Sequence, residues 1–182
     1  MSAGKVGDPA TMPDFPPLEA RSLNGRTYRL SGDLEGELNV LLVGFEWWQQ
    51  ELIDSWVPFL EELASRRTDL RIYELFVIPR SYLPARPFID GGMVRGIPED
   101  VVRARTLTAY TDLPRALARL GLKDTRDVAL FLVERTGRVC WRARGSHDPE
   151  GADALARALS YRPPAENLPR NRPGGPERQR TR

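Results

Sequence analysis

The sequence predicts an α/β domain in which helices flank a central mixed β-sheet that begins with an N-terminal β-hairpin. Three observations support this class. An Asn24-Gly25 pair stands between apolar flanks, short apolar runs alternate with segments of helical periodicity, and a second hairpin pattern follows near the C-terminus. Because strands and helices alternate before that second hairpin, we expect parallel and antiparallel strands in one sheet with helices on both faces.

The domain is predicted to span residues 18–161 of the 182-residue chain. Residues 1–17 are rich in Gly, Pro and small side chains, which indicates an extended N-terminal segment. Residues 162–182 carry six arginines and several prolines with almost no apolar residues. A segment of this composition buries too little surface to order itself, so we expect a disordered tail.

The first half of the domain contains two strands with a helix between them. The run Leu38–Phe45 is almost entirely apolar, which predicts a strand buried on both faces, as in a parallel sheet. Residues Gln50–Arg67 place their apolar side chains on one helical stripe, and Pro58 inside that stripe predicts a kink. Leu70–Ile78 is a second strand of the doubly buried kind.

Residues 80–105 are less regular. Within Phe88–Gly96, the pair Gly91-Gly92 gives the backbone freedom, and Asp90 and Arg95 flank it. We interpret this stretch either as a connection that breaks helical structure or as a functional loop near the site. The order Pro98-Glu99-Asp100 predicts the first turn of a short helix, and Thr106–Tyr110 a third strand.

The last third shows clear caps and a hairpin. Asp112 is predicted to cap a helix that runs through Leu120 and is closed by Gly121. Strands over 127–134 and 138–144 form the predicted hairpin, and a final helix begins at 148–150 and runs through Leu159.

Composition bounds the function. Lys plus Arg is 27 and Asp plus Glu is 25, a net charge of +2 that gives no reason to expect a nucleic-acid partner. No apolar run approaches the roughly 18 residues of a membrane span, and the N-terminus lacks the apolar core of a secretory signal. A single cysteine, Cys140, excludes an intrachain disulfide, so a reducing cytoplasm is the simplest compartment. No second His or Cys lies near His147, and we expect neither a metal nor another cofactor.

Four segments in order resemble the redoxin branch of the thioredoxin superfamily, which includes peroxiredoxins (AhpC/TSA-like proteins) and thiol-disulfide proteins. The segments are 6–15 (VGDPATMPDF), 23–26 (LNGR), 57–63 (VPFLEEL) and 131–139 (FLVERTGRV). The resemblance implies a thioredoxin-like fold over about residues 6–160.

The resemblance places the two active-site cysteines of such proteins near Gln50 and Ile53, and the active-site proline near Val128. This sequence has neither of the two cysteines and lacks the proline at these positions. Thiolate chemistry needs a sulfur at the helix N-terminus, where the helix dipole lowers the thiol pKa. The sequence therefore predicts a thioredoxin-like protein without the redox chemistry of the family.

A narrower resemblance covers Gly137–Gly145 (GRVCWRARG). It is similar to a thioredoxin-like assembly factor of the mitochondrial ATP synthase membrane sector, a family that is redox-silent. This resemblance implies a role as a chaperone or assembly factor.

Two segments hold the candidate binding residues. The first follows the central strand, where this superfamily binds substrate: Glu46, Trp47, Trp48, Gln49 and Gln50. The second surrounds the glycine pair: Asp90, Gly91, Gly92 and Arg95. Two adjacent tryptophans cannot both point inward, so either one indole is exposed for binding or both pack under the following loop.

Three hypotheses for function follow. The first is a redox-inactive binding or assembly module with a protein partner. The second is a thiol-dependent oxidoreductase or peroxidase that uses Cys140; if Val139 and Trp141 share one face of their strand, Cys140 takes the other. The third is an enzyme of another class that uses Glu46, Asp90 and Arg95 as charged groups.

Overall fold

A computed structural model of the protein describes residues 13–30 and 32–160. Most of the extended N-terminal segment predicted for 1–17, and the whole tail predicted for 162–182, lie outside these residues. The described strands are β1 (Glu19–Ser22), β2 (Thr27–Arg29), β3 (Leu38–Gly44), β4 (Leu70–Pro79), β5 (Thr106–Thr111), β6 (Ala129–Glu134) and β7 (Val139–Arg144).

All seven strands belong to one mixed sheet with the order β2-β1-β5-β4-β3-β6-β7. The three central strands β5, β4 and β3 are parallel, and the outer pairs are antiparallel. The two hairpins predicted from the sequence, β1–β2 and β6–β7, form the two ends of the sheet. The predicted α/β class and mixed sheet are therefore confirmed.

The described residues also form five helices: α1 (Gln50–Ser65), α2 (Arg86–Gly96), α3 (Asp100–Arg105), α4 (Leu113–Leu120) and α5 (Pro149–Ser160). A 3-10 turn (Trp47–Gln49) precedes α1, and a second (Arg80–Ala85) precedes α2. Helix α1 continues through Pro58. No helix among the described residues is both long and apolar enough to cross a membrane.

Two hydrophobic cores lie on opposite faces of the sheet. Successive residues of β3 alternate between them: Leu41 and Val43 face the core that α4 covers, while Val40 and Leu42 face the core that α1 and α5 cover. This alternation confirms that β3 is buried on both faces. A strand with two apolar faces must be sandwiched between helices, which fixes β3 at the centre.

The predicted caps are present. The Asp112 carboxylate accepts a hydrogen bond from the Arg115 backbone N–H at 3.0 Å, and Gly121 ends α4 with a φ of +67°. The Asp148 carboxylate accepts one from the Gly151 N–H at 2.8 Å at the start of α5. These bonds satisfy backbone groups that a helix end leaves without partners.

The segment around Gly91-Gly92 corrects a prediction. It is neither a loop nor a break, because α2 runs through both glycines. Glycine in a helix costs about 1 kcal/mol relative to alanine, and tertiary contacts outweigh this local preference here. Asp90 bonds to β5, and Met93 packs against the core beneath α1.

Strand β7 corrects a second expectation. The pairing of β6 with β7 shifts between Leu132 and Val133, so that Val133 pairs with Val139 and Leu132 with Trp141. Val139 therefore joins the core beneath α4, whereas Trp141 joins the core beneath α1 and α5. Cys140 is half-buried and packs on the same side as Trp141, because the bulge breaks the simple alternation along the strand.

Candidate functional site

The carboxyl ends of β3, β4 and β5 meet at one edge of the sheet, because these neighbouring strands are parallel. The segment 45–50 follows β3, and the 3-10 turn of residues 80–85 follows β4. In open α/β sheets this edge is where ligands bind. The chain thus places the candidate segment 46–50 at the end of the sheet where the sequence predicted it.

Large apolar side chains are exposed at this edge. Trp47 is 85% exposed and Trp48 is 56% exposed, so neither indole is buried under a neighbouring loop. Tyr82 and Leu83, from the turn after β4, are exposed as well. We call these four residues the aromatic edge. Exposed aromatic groups on one edge are typical of surfaces that bind another molecule, because burying them there removes apolar area from water.

Gln49 was predicted to be a binding residue, but it is fully buried. Its Oε1 accepts hydrogen bonds from the backbone N–H groups of Phe45 (2.8 Å) and Glu46 (3.3 Å). Its Nε2 donates to the Thr125 carbonyl at 2.6 Å. Both polar atoms of its amide bond to the protein backbone, so Gln49 shapes the turn and does not present a surface.

Gln50 and Ile53 occupy the positions where the redoxin resemblance places cysteines. Gln50 starts α1, is half-buried, and donates through Nε2 to Asp54 Oδ1 at 2.8 Å. Ile53 is fully buried in the core beneath α1. Glu46 is exposed next to Trp47.

Beneath this helix start lies an acid that the sequence interpretation missed. Glu74 stands in the middle of β4 and is only 4% exposed. Burial raises the pKa of its carboxyl above the ordinary value, and this effect outweighs the opposing influence of Arg105 and of a hydrogen bond from Gln50. The signal was visible as the one acid within the largely apolar run of residues 70–78, whose other charged residue, Arg71, is exposed.

Two charged residues of α2, Arg86 and Asp90, serve the fold. Asp90 pairs with Arg86 at 3.1 Å and accepts a hydrogen bond from the Tyr110 hydroxyl at 2.8 Å. Burial, and then the Asp90 carboxylate, raises the pKa of Tyr110. Arg95 is exposed near the C-terminal end of α2, and Gly91 and Gly92 lie between Asp90 and Arg95. In the described part of the chain, no hydrogen bond or ion pair joins Asp90 or Arg95 to Glu46.

Cys140 lies on β7, away from the aromatic edge. Its Sγ donates to Glu134 Oε1 at 3.5 Å, and Arg138 pairs with the same carboxylate at 2.6 Å. Burial, and then the charge of Glu134, raises the pKa of the thiol to about 11. A thiol of this pKa is protonated at neutral pH, which is the opposite of what a nucleophilic cysteine requires.

Within residues 13–30 and 32–160, no group of three or more His, Cys, Asp or Glu side chains is placed to hold a metal ion. His147 packs its ring against Trp56 at 4.9 Å and against Phe59 at 5.4 Å.

Solved structures that share this architecture include two Sco proteins and a thioredoxin. BsSco, of the Sco family of cytochrome c oxidase assembly proteins, superimposes with a TM-score of 0.60 over 82% of this chain and 94% of its own, at 16% identity. Yeast Sco1 gives 0.57 over 83% and 97%, at 17% identity. The exposed lipoprotein thioredoxin Etrx1 of Streptococcus pneumoniae gives 0.51 over 78% and 96%, also at 17%.

The chain therefore has a thioredoxin-like fold. At the start of α1, where the redoxin resemblance places cysteines, this chain has none. The exposed side chains of the aromatic edge lie next to those positions. No protein-family model matches the sequence, and neither does any curated protein sequence. The narrower resemblance to an ATP synthase assembly factor stays a prediction.

Proposed function

We propose that this chain is a redox-inactive thioredoxin-like protein that binds another protein through its aromatic edge, as a module for assembly or chaperoning. The exposure of Trp47 and Trp48 at the substrate end of the sheet carries the proposal. Indoles are among the side chains that most often dominate the energy of a protein interface. Two indoles that are exposed in the free chain are most simply explained by a partner that buries them on binding.

The chemistry that is missing supports the same role. Gln50 and Ile53 cannot form or break a disulfide, and the one thiol has a raised pKa and lies on another strand. The oxidoreductase or peroxidase alternative through Cys140 thus lacks an activated sulfur. The occurrence of this fold in cytochrome c oxidase assembly proteins such as BsSco is compatible with a non-catalytic role.

The turn that carries Trp47 and Trp48 is joined to the rest of the fold by hydrogen bonds. Gln49 joins the turn before α1 to the loop before β6, and Arg144 joins that loop to β7 through Asp124 at 2.8 Å. A surface that is fixed before binding loses little conformational entropy when a partner docks.

The test is affinity capture with the wild type, with a Trp47→Ala/Trp48→Ala variant and with Val101→Ala as the matched control. Val101 is 76% exposed on α3, which leads into the opposite end of β5. We expect a partner that the wild type and the control retain and the double variant loses. Titration of that purified partner should show affinity at least tenfold weaker for the double variant, about 1.4 kcal/mol.

Two results would contradict the proposal. One is capture of the same partners by the correctly folded double variant. The other is reduction of peroxide or disulfide by the purified wild type that disappears in Cys140→Ala.

A further inference from the structure

A hollow of about 290 Å³ lies on the α4 side of the sheet, where β5 ends. Its lining includes Leu18, Tyr110 and Asp112, together with three arginines, Arg80, Arg115 and Arg119. Arg80 comes from the turn after β4, and the other two come from α4. Four separate parts of the chain therefore meet at one opening, and two of them supply the arginines.

The three arginines share one property: none forms an ion pair with any described residue. Other arginines nearby are paired, as Arg86 is with Asp90. Arg115 and Arg119 are four residues apart, so they lie on the same face of α4, and like charges at that spacing repel. Helix α4 itself contains no acidic residue that would offset them.

The acidic residues of the hollow do not neutralise this charge. Asp112 is already engaged as the cap of α4, where its carboxylate accepts from the Arg115 backbone N–H. Glu19, the first residue of β1, is the other acid in the lining, and it is exposed. Three guanidinium groups against two carboxylates leave the hollow with an excess of one positive charge.

We propose that this hollow binds the phosphate group of a small soluble phosphate ester. A guanidinium presents a planar fork of N–H donors that matches phosphate oxygens, and three such groups can share the three terminal oxygens of one phosphate. The volume exceeds that of a phosphate alone, so an organic portion fits beside it, where residues 17–19 and 110–112 line the hollow. This site adjoins the aromatic edge, because Arg80 begins the turn that carries Tyr82 and Leu83, but the two proposals rest on different residues and either could fail without the other.

The experiment is calorimetric titration of the full chain with glycerol 3-phosphate. Glycerol and sodium chloride at matched ionic strength are the controls for the organic portion and for screening. We expect saturable binding that weakens at least tenfold in Arg115→Gln/Arg119→Gln and at least threefold in Arg80→Gln. Arg157→Gln on α5, across the sheet, is the matched control and should bind as the wild type does.

Two further measurements complete the test. Thermal unfolding in phosphate-free buffer checks that the variants fold, and we expect Arg119→Gln to melt no lower than the wild type because a repulsion is removed. Backbone amide shifts on titration should concentrate in residues 110–116.

The proposal is overturned if glycerol 3-phosphate gives no saturable signal, or if the double variant binds as tightly as the wild type. It is also overturned if Arg157→Gln weakens binding equally. Binding to vesicles of phosphatidylcholine with phosphatidic acid, without binding to glycerol 3-phosphate, would overturn the assignment to a soluble ester and identify a lipid phosphate instead.

Discussion

The Gln49 side chain donates a hydrogen bond to the Thr125 carbonyl at 2.6 Å, joining the turn before α1 to the loop before β6. The redoxin resemblance places active-site cysteines near Gln50 and Ile53, after this turn, and an active-site proline near Val128, at the end of this loop. In this chain the Gln49 amide joins the two segments. The same side chain also accepts from the Phe45 N–H, so one buried residue fixes both sides of the candidate site.

Removing this bridge should destabilise the fold. We expect Gln49→Ala to lower the free energy of unfolding by about 2 kcal/mol, because the Phe45 N–H and the Thr125 carbonyl would lose buried partners. Urea denaturation measures the change. Glu51→Ala, an exposed substitution two residues on, should stay within about 0.5 kcal/mol of the wild type. Equal losses in the two variants would contradict the structural role of Gln49.

The four tryptophans should divide into two optical classes. Trp47 and Trp48 are exposed, whereas Trp56 and Trp141 are buried in the core beneath α1 and α5. Iodide should therefore quench part of the fluorescence, and Trp47→Phe/Trp48→Phe should remove the quenchable part with a stability change within about 0.5 kcal/mol. Quenching that persists in this double variant would show that the core indoles are accessible.

The Cys140 thiol should react slowly in the folded protein. With a pKa of about 11 against an ordinary value of 9.0, alkylation by iodoacetamide at pH 8 should be at least about 100-fold slower in the folded than in the urea-unfolded chain. Glu134→Gln should reduce this ratio of unfolded to folded alkylation rates, because a negative charge that disfavours the thiolate is removed. The control Glu37→Gln removes an acid that pairs with Arg135 near the same hairpin and should leave the rate unchanged. Fast alkylation of the folded wild type would instead indicate an activated thiol.

The buried Glu74 carboxyl should make stability fall as pH rises. Its pKa in the folded state is raised, so the folded protein holds the proton more tightly than the unfolded chain. Its contribution is fully present below the unfolded pKa, near 4.5, and is lost as pH rises through the higher folded pKa. Glu74→Gln should therefore stabilise the protein at pH 7 more than at pH 4, as measured by urea denaturation at the two pH values. An equal effect at both would contradict a raised pKa.

Much of the fold was predictable because its signals are local. The apolar run at Leu38–Phe45 indicated a doubly buried strand, and the two cores confirm it. Asp112 and Gly121 marked the ends of α4 because caps depend on residues within one turn. The glycine pair misled for the same reason: its local preference was overruled by the contacts of Asp90 and Met93 with distant strands.

The site was predictable in position and less so in detail. The sequence placed it at residues 46–50 and indicated a binding role, which stays a prediction, as do the cytoplasmic location and the protein partner. It did not reveal that Gln49 is buried, because glutamine is usually exposed and its partner Thr125 is 76 residues away. Nor did it give weight to Glu74, the one acid within a largely apolar strand.

By itself, the sequence determined the order of the strands and of every helix but α2, together with the absence of a cysteine pair. These follow from periodicity, from caps and from composition, which are all written within short stretches of chain. Only the tertiary structure decided that both indoles of Trp47 and Trp48 face solvent, that Gln49 closes the gap to Thr125, and that Arg80, Arg115 and Arg119 share one hollow. The physical reason is that exposure and convergence depend on which remote segments the sheet brings together, and no local pattern records that.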